Sequence, residues 1–288
     1  MTGPAPRIRR RAGRGLSRKT SMYVVLVGLA LVMAYPLLWM LGSSFKPDNE
    51  IFTESGVIPK SFTWDHWIQG WQGVGIPFGR FFLNSFIVSG LTALGSVIAC
   101  SLAAFAFARL EFRLKKVWFA CMLATIMLSS QVTIVPRYIL FDKLGWVNTY
   151  LPLIVPAFLA TDSFFIFLMV QFMRAIPREL DEAARLDGCG PMRIYWYVML
   201  PLVRPALATT AVFAFIWSYG DFFNQLIYIS DPNKFTVALG LRMFLDSSGQ
   251  QQWGNMLAMS TASLLPVFIL FLLFQRHLIA GFATTGLK

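Results

Sequence analysis

Four side chains near the end of one apolar run have the chemistry to hold a polyhydroxylated ligand. Trp217, Asp221, Asn224 and Tyr228 fall at i, i+4, i+7 and i+11, which on a continuous helix puts them on one face. Carboxylates and amides bond adjacent hydroxyls, and aromatic rings cover the apolar face of a sugar ring. The same residues sit towards one end of the run, where polar and aromatic side chains also serve as boundary anchors, so both readings stand. Asp162, near the middle of the preceding apolar run, is a further candidate for a substrate path. A carboxylate at that depth is costly and faces protein or water, either as a ligand contact or as a hydrogen bond between helices.

A second constellation has the chemistry of docking. Glu182-Ala183-Ala184-Arg185-Leu186-Asp187-Gly188, with Leu200-Pro201 twelve residues further on, forms a polar island between two apolar runs. Arg174, Arg178, Arg185, Arg193 and Arg204 stud it, among Glu179, Asp181, Glu182 and Asp187. Pro177 suits a first helical turn, and the acidic residues after it favour a helix N-terminus. The pattern predicts a helix over 178–186, a left-handed stop at Gly188, a second helix over 192–200 and a new span after Pro201. On spacing alone it is either a docking element or an ordinary amphipathic hairpin.

Other chemistries are poorly served. No Ser/His/Asp or paired-carboxylate arrangement stands out, so a membrane enzyme is poorly supported. Cys100, Cys121 and Cys189 offer no disulfide framework, and His66 and His277 no metal cluster. Gly281 and Gly286 have the glycine spacing of a phosphate loop, but Leu287 stands where its lysine belongs, so ATP hydrolysis by that machinery is not expected of this chain.

The elements that must position these groups are membrane spans. The 288-residue chain is 56% hydrophobic and 14% charged, against about a quarter charged in a soluble domain. Six apolar runs approach or exceed the length needed to cross a bilayer, near 22–41, 82–107, 117–135, 150–173, 206–229 and 256–275. The first is longer than a signal-peptide core, so it reads as an uncleaved span, kinked at Pro36. The third is expected to end at Val135-Pro136, with 137–145 returning along the outer face. Phe62, Trp64, Trp67 and Trp71 suggest a short boundary helix in the segment before the second span.

The net charge of +11 raises the question of nucleic acid, but its distribution answers otherwise. Eighteen of the 25 Lys and Arg fall in the first 21 residues, the 108–116 loop, the polar island and the C-terminal tail; seven fall on the other side. That bias places both termini and the island in the cytoplasm. The basic, Gly- and Pro-containing tail reads as disordered and drawn to anionic membrane lipid, with no nucleic-acid partner expected. The layout is thus a tail (1–21), a first span with an outer segment (22–80), a five-helix core carrying the island at 174–201 (81–276), and a C-terminal tail (277–288).

Glu182-Ala183-Ala184, Gly188 and Val198-x-Leu200-Pro201 resemble, in residues and gaps, the EAA loop of ABC-importer permeases. Arg80-Phe-Phe-Leu-Asn84-Ser85 and the 103–112 run resemble the carbohydrate-uptake branch, and the resemblance covers about residues 20–288. It is closest to the second, MalG-like permease. The resemblance implies an all-α, six-helix type I importer fold in a prokaryotic plasma membrane. It also implies a coupling helix seated in a cleft of an ATPase, with Glu182, Ala183, Ala184, Asp187, Gly188, Leu200 and Pro201 as its contact set. The implied partners are a MalF-like second permease, two copies of an ATPase using ATP and Mg, and an extracytoplasmic solute-binding protein; no cofactor is bound by this chain itself. The C-terminal Gln275, Arg276, Gly281 and Gly286 resemble a tail that reaches the ATPase dimer. Two departures are Gly220-Asp221 where Asn-Asp is frequent, and Cys189 where Ala is frequent. The competing class is a secondary transporter, which predicts related halves and paired intramembrane charges. No internal repeat is evident, and Asp162 and Asp221 have no obvious basic partners in the spans.

Overall fold

Residues 14–73, 75–246 and 252–283 are described in the computed structural model, and among them there is no strand. The helices in order are α1 (Arg14–Ser43), α2 (Asp48–Ile51), α3 (Asp65–Gln72), α4 (Phe78–Arg109), α5 (Lys115–Ile126), α6 (Ser130–Lys143), α7 (Leu151–Phe158) and α8 (Ser163–Ala175). There follow α9 (Glu179–Leu186), α10 (Pro191–Arg193), a π-helical turn (Ile194–Met199), α11 (Leu200–Leu202), α12 (Arg204–Tyr219), α13 (Phe223–Tyr228), α14 (Val237–Asp246) and α15 (Trp253–Ala283).

The core is built around α4. Ser85, Ser89, Ala93, Ser96, Cys100, Ala104 and Ala108 recur every three or four residues and are all buried, forming a narrow seam of small side chains. Without a hydrophobic drive between helices in lipid, such a seam gains its stability from close packing, and α12, α8 and α7 lie along it. Gly95 shows how close the approach is: a Cβ there would stand 2.6 Å from the ring of Phe158. Larger apolar residues fill in at either end. One cluster joins Phe105, Phe165, Met169, Met173 and Met199; the other joins Phe78, Phe81, Tyr219, Phe244 and Met259.

Among the described residues, four helical stretches are long and apolar enough to cross a bilayer: Thr20–Ser43, Phe78–Arg109, Leu151–Ala175 (α7 with α8) and Trp253–Gln275. Two bent pairs raise the number to six if each is one span, with a turn of 105° between Lys115–Ile126 and Gln131–Lys143 and of 78° between Pro191–Leu202 and Arg204–Tyr219. The straight third span expected to stop at Pro136 is therefore corrected. The break falls at 127–129, and Pro136 lies inside α6. The fifth span is also shorter than its apolar run, because α12 stops at Tyr219. At the termini, α1 begins at Arg14, within the stretch expected to be disordered, and α15 continues past Gln275 through Gly281.

The segment between α1 and α4 is ordered by aromatic packing, as its composition suggests. α3 carries Trp67 and Trp71, while Phe45 stacks on Phe62 at 4.7 Å and on Trp67 at 5.5 Å. Lys46 is fully buried, and its ammonium donates to the carbonyls of Glu54 and Gly56 at 2.8 and 2.6 Å. Asn148 ties the loop before α7 to the loop after α13: its Oδ1 accepts from the amides of Ser230 and Asp231, and Lys234 donates to its carbonyl. In that second loop, the Asn233 amide donated to Asp231 holds the carboxyl below its ordinary range.

Candidate functional site

The polar island folds into the expected helix–turn–helix. Glu179, Asp181 and Glu182 occupy the first turn of α9 and Arg185 its last, each complementing the helix dipole. The C-terminus closes as a Schellman motif, in which Gly188 donates to the Arg185 carbonyl at 3.0 Å and Cys189 to the Ala184 carbonyl at 2.9 Å. That pairing requires a left-handed residue, and Gly188 supplies it at φ +79°. No atom would meet a Cβ at Gly188, so what a side chain would cost there is conformational, not steric.

α9 presents two unlike faces. Its inner face buries Ala184 and Asp181. The Asp181 carboxylate pairs with Arg109 at 3.3 Å, both side chains almost wholly removed from solvent. Arg109, the last residue of α4, also donates to the carbonyls of Met173 and Ile176, at 2.7 Å each. These lie at the end of α8, so one guanidinium joins α4, α8 and α9. The outer face leaves Glu182, Ala183, Asp187 and Gly188 exposed, with Leu186 91% exposed beside them. A leucine so bare at the tip of a polar hairpin, next to an alanine and a glycine that offer little bulk, marks a surface shaped for contact.

The second arm of the hairpin is fastened separately. Within the π-helical turn Ile194, Tyr195 and Met199 are buried, and the Tyr195 hydroxyl shares a 2.7 Å hydrogen bond with Ser101 of α4. Leu200 packs against the same core, whereas Pro201 is exposed. The sequence shows Arg109 only as one of the 108–116 loop cations, and its role as the tie is visible only in the fold. In the sequence it is marked only by its position as the last residue of an apolar run.

The proposed ligand stripe is rearranged. α12 ends at Tyr219, the chain turns at Gly220, and α13 begins at Phe223. Asp221 supplies that new start, accepting from the Asn224 amide at 3.1 Å and from its side chain at 2.8 Å. The spacing of the four residues therefore no longer describes one face. Trp217 and Asp221 line a cavity of about 170 Å³, while Asn224 is turned to Asp221 and Tyr228 is buried against Phe141 and Tyr138. Asp162 does reach the same cavity. It is the N-cap of α8, accepting from the Phe164 and Phe165 amides at 3.1 and 3.4 Å, rather than a bridge between helices. Ala160, with φ +52°, marks the break that makes this cap necessary. Thr92, Ser96, Ser218 and Gln225 complete the polar lining and were not foreseen. Thr92 and Ser96 come from α4, Ser218 from α12 and Gln225 from α13, and no local sequence pattern groups them.

At the C-terminal end, Gln275 lies on α15 and donates to the Leu272 carbonyl at 3.0 Å. Arg276 and Gly281 continue the same helix, and Gly286 lies outside the described residues. Cys100, Cys121 and Cys189 are free thiols.

The sequence model of the family described as "binding-protein-dependent transport system inner membrane component" matches residues 93–283, which include the hairpin, both cavity-lining breaks and α15. The chain belongs to this family. Membership sets aside the secondary-transporter alternative and identifies the protein as a permease subunit. Among relatives, the probable ABC transporter permease protein YurM of Bacillus subtilis is 36% identical, covering 94% of this chain and 89% of its own length. The trehalose/maltose transport system permease MalG of Thermococcus litoralis is 30% identical, covering 90% and 93%. A bacterial ABC transporter that imports the acidic polysaccharide alginate shares the permease fold, with TM-score 0.80 at 20% identity, over 94% of this chain and 99% of the solved one.

Proposed function

We propose that this permease is one of two membrane subunits forming the translocation path of an ATP-driven importer of mono- or oligosaccharides or related polyols. Family membership is the observation that carries the reading. The sugar class is supported by the trehalose/maltose relative and by the polar and aromatic lining of the cavity. The remaining parts of the assembly would be a MalF-like second permease, two ATPase subunits consuming ATP with Mg, and an extracytoplasmic binding protein. The distribution of Lys and Arg favours a cytoplasmic position for both termini and the hairpin.

In this mechanism the chain carries out no bond chemistry. The exposed edge of α9, with Glu182, Ala183, Leu186, Asp187 and Gly188, sits in a cleft of one ATPase subunit. Closure of the ATPase dimer displaces α9, and the Arg109–Asp181 pair together with the bonds from Arg109 to α8 makes α4, α8 and α9 move as one body. Because α4, α8 and α12 also wall the cavity, that motion turns the cavity from inward- to outward-facing. Asp162, Trp217 and Asp221 then contact the passing substrate, and the segment from Gln275 to Gly286 touches the ATPase pair.

The test is co-purification from native membranes in mild detergent, followed by ATPase assay with added binding protein. Recovery of an ATPase and a second permease, with stimulated hydrolysis, is the expected result; recovery of the folded chain alone overturns the reading. Within that complex, Gly188→Asp is expected to insert normally yet abolish uptake, and normal uptake would remove α9 from the docking role.

A further inference from the structure

Where α4 and α8 end and α5 begins, a crevice of about 640 Å³ opens beside the hairpin. Arg109, Lys115, Lys116, Arg174 and Arg178 line it, against the single carboxylate of Glu111. Two of the five cations are already engaged: Arg109 pairs with Asp181, and Lys115 bonds Glu111 and the Leu110 carbonyl. Lys116, Arg174 and Arg178 have no carboxylate within ion-pair distance among the described residues. Arg109 is only 6% exposed, yet its Nε is buried without a partner, an uncommon state for a guanidinium nitrogen. The excess positive charge is carried by three exposed side chains, Lys116, Arg174 and Arg178, that line one concave site.

The walls select among anions. Phe107, Phe112 and Phe119 supply an aromatic floor, and the Arg174 guanidinium lies 4.9 Å from the Phe119 ring centre. Leu114 on the wall, and Val117 and Trp118 just beyond it in the chain, are each more than half exposed, with Trp118 in the first turns of α5 as a boundary anchor. A cationic hollow opening onto an exposed apolar strip matches a molecule with a phosphate head and acyl chains. A small soluble anion would use the hollow and have no use for the strip.

We propose that this crevice binds the phosphate headgroup of an anionic phospholipid, with Lys116, Arg174 and Arg178 meeting the phosphate and the chains lying along Leu114, Val117 and Trp118. The site rests on the membrane assignment of the chain and does not depend on which solute is carried. It places a lipid against the guanidinium that joins α4, α8 and α9, so lipid composition would bear on how firmly the hairpin is held.

The experiment uses the whole complex in nanodiscs, with a photoreactive acyl-chain phosphatidylglycerol and the matching phosphatidylcholine probe, mapped by peptide mass spectrometry. Labelling by the phosphatidylglycerol probe is expected on the peptide spanning 114–118, with little from the phosphatidylcholine probe. Each cation removed is worth roughly 5-fold, so Lys116→Gln with Arg174→Gln is expected to lower labelling by roughly 25-fold. Arg113→Gln, an exposed charge outside the crevice, should change nothing, and the charge-retaining pair Lys116→Arg with Arg174→Lys should restore labelling. Unchanged labelling in the double variant overturns the site. So does equal labelling by both probes, absence of labelling, or displacement by excess inorganic phosphate, which would assign the crevice to a soluble anion. Subunit composition and ATPase stimulation of the same preparation report separately on the importer reading.

Discussion

The hairpin and the cavity place their functional groups by opposite means. On α9, every exposed residue of the proposed contact set sits within a few positions of the residue that fixes it: the acidic first turn starts α9, Gly188 stops it, and Asp181 faces inward one residue before Glu182 faces out. In the cavity, the groups come from interrupted spans, and the interruptions themselves are held by Asp162 and Asp221. The docking role proposed for α9 requires a surface stiff as a unit, and local hydrogen bonding with one buried tie supplies that. A path for solute must rearrange, and helices broken mid-span provide places where it can.

If that contrast is correct, breaking the tie will have the largest effect. Arg109→Met leaves the Asp181 carboxylate buried and unpaired and frees two carbonyls, with an expected loss of about 3–5 kcal/mol and poor accumulation of the protein. Arg109→Met combined with Asp181→Leu should recover most of that loss in thermal unfolding of the purified complex. A double variant as unstable as the single would mean that the carbonyl bonds, not the ion pair, hold α9.

The caps come next. Asp162→Ala removes the acceptor for two α8 amides and should cost about 1 kcal/mol. Asp162→Asn keeps a capping oxygen, so stability should be nearly unchanged; if the carboxylate also faces substrate, the KM for uptake rises while stability does not. Equal KM values for Asn and Asp would leave Asp162 a cap alone. In the hairpin, Gly188→Ala forces a side chain into a left-handed position and should cost about 1 kcal/mol, with Gly188→Asn milder, both read by thermal unfolding. Should Ala be harmless, the Schellman closure would not be what fixes the tip.

The smallest effect lies in the loop after α13. The Asp231 carboxyl is held low by the Asn233 amide, so its contribution is complete above the ordinary carboxylate range and disappears as pH falls through about 4 and below. Relative to the intrinsic exchange rate at each pH, the Asn233 amide should lose protection over that window, and its protection in Asp231→Asn should not change with pH.

How far the sequence was legible follows the same divide. The six apolar runs, the boundary helix with its tryptophans, and the helix–stop–helix of the island were all readable, because each depends on residues adjacent in the chain. The stripe over Trp217, Asp221, Asn224 and Tyr228 does not form one face, since counting at helical spacing assumes an unbroken helix and Gly220 with Asp221 ends it. Pro136 looked like a terminus and proved tolerable inside α6, while the turn came earlier, at residues without proline or glycine. Thr92 and Ser96 joined the site through packing of α4 against α7 and α12, which no local pattern encodes.

Arg109 also sets a schedule. The carbonyls it bonds lie 64 and 67 residues further along the chain, and a ribosome adding about 5–20 residues per second needs roughly 3–13 seconds to reach them. Until then the nascent protein holds an unmatched cation at the edge of the bilayer. At the very end of α4 that charge can reach water; one or two turns deeper it could not. The residue that locks the finished protein is therefore stationed where the unfinished one can tolerate it.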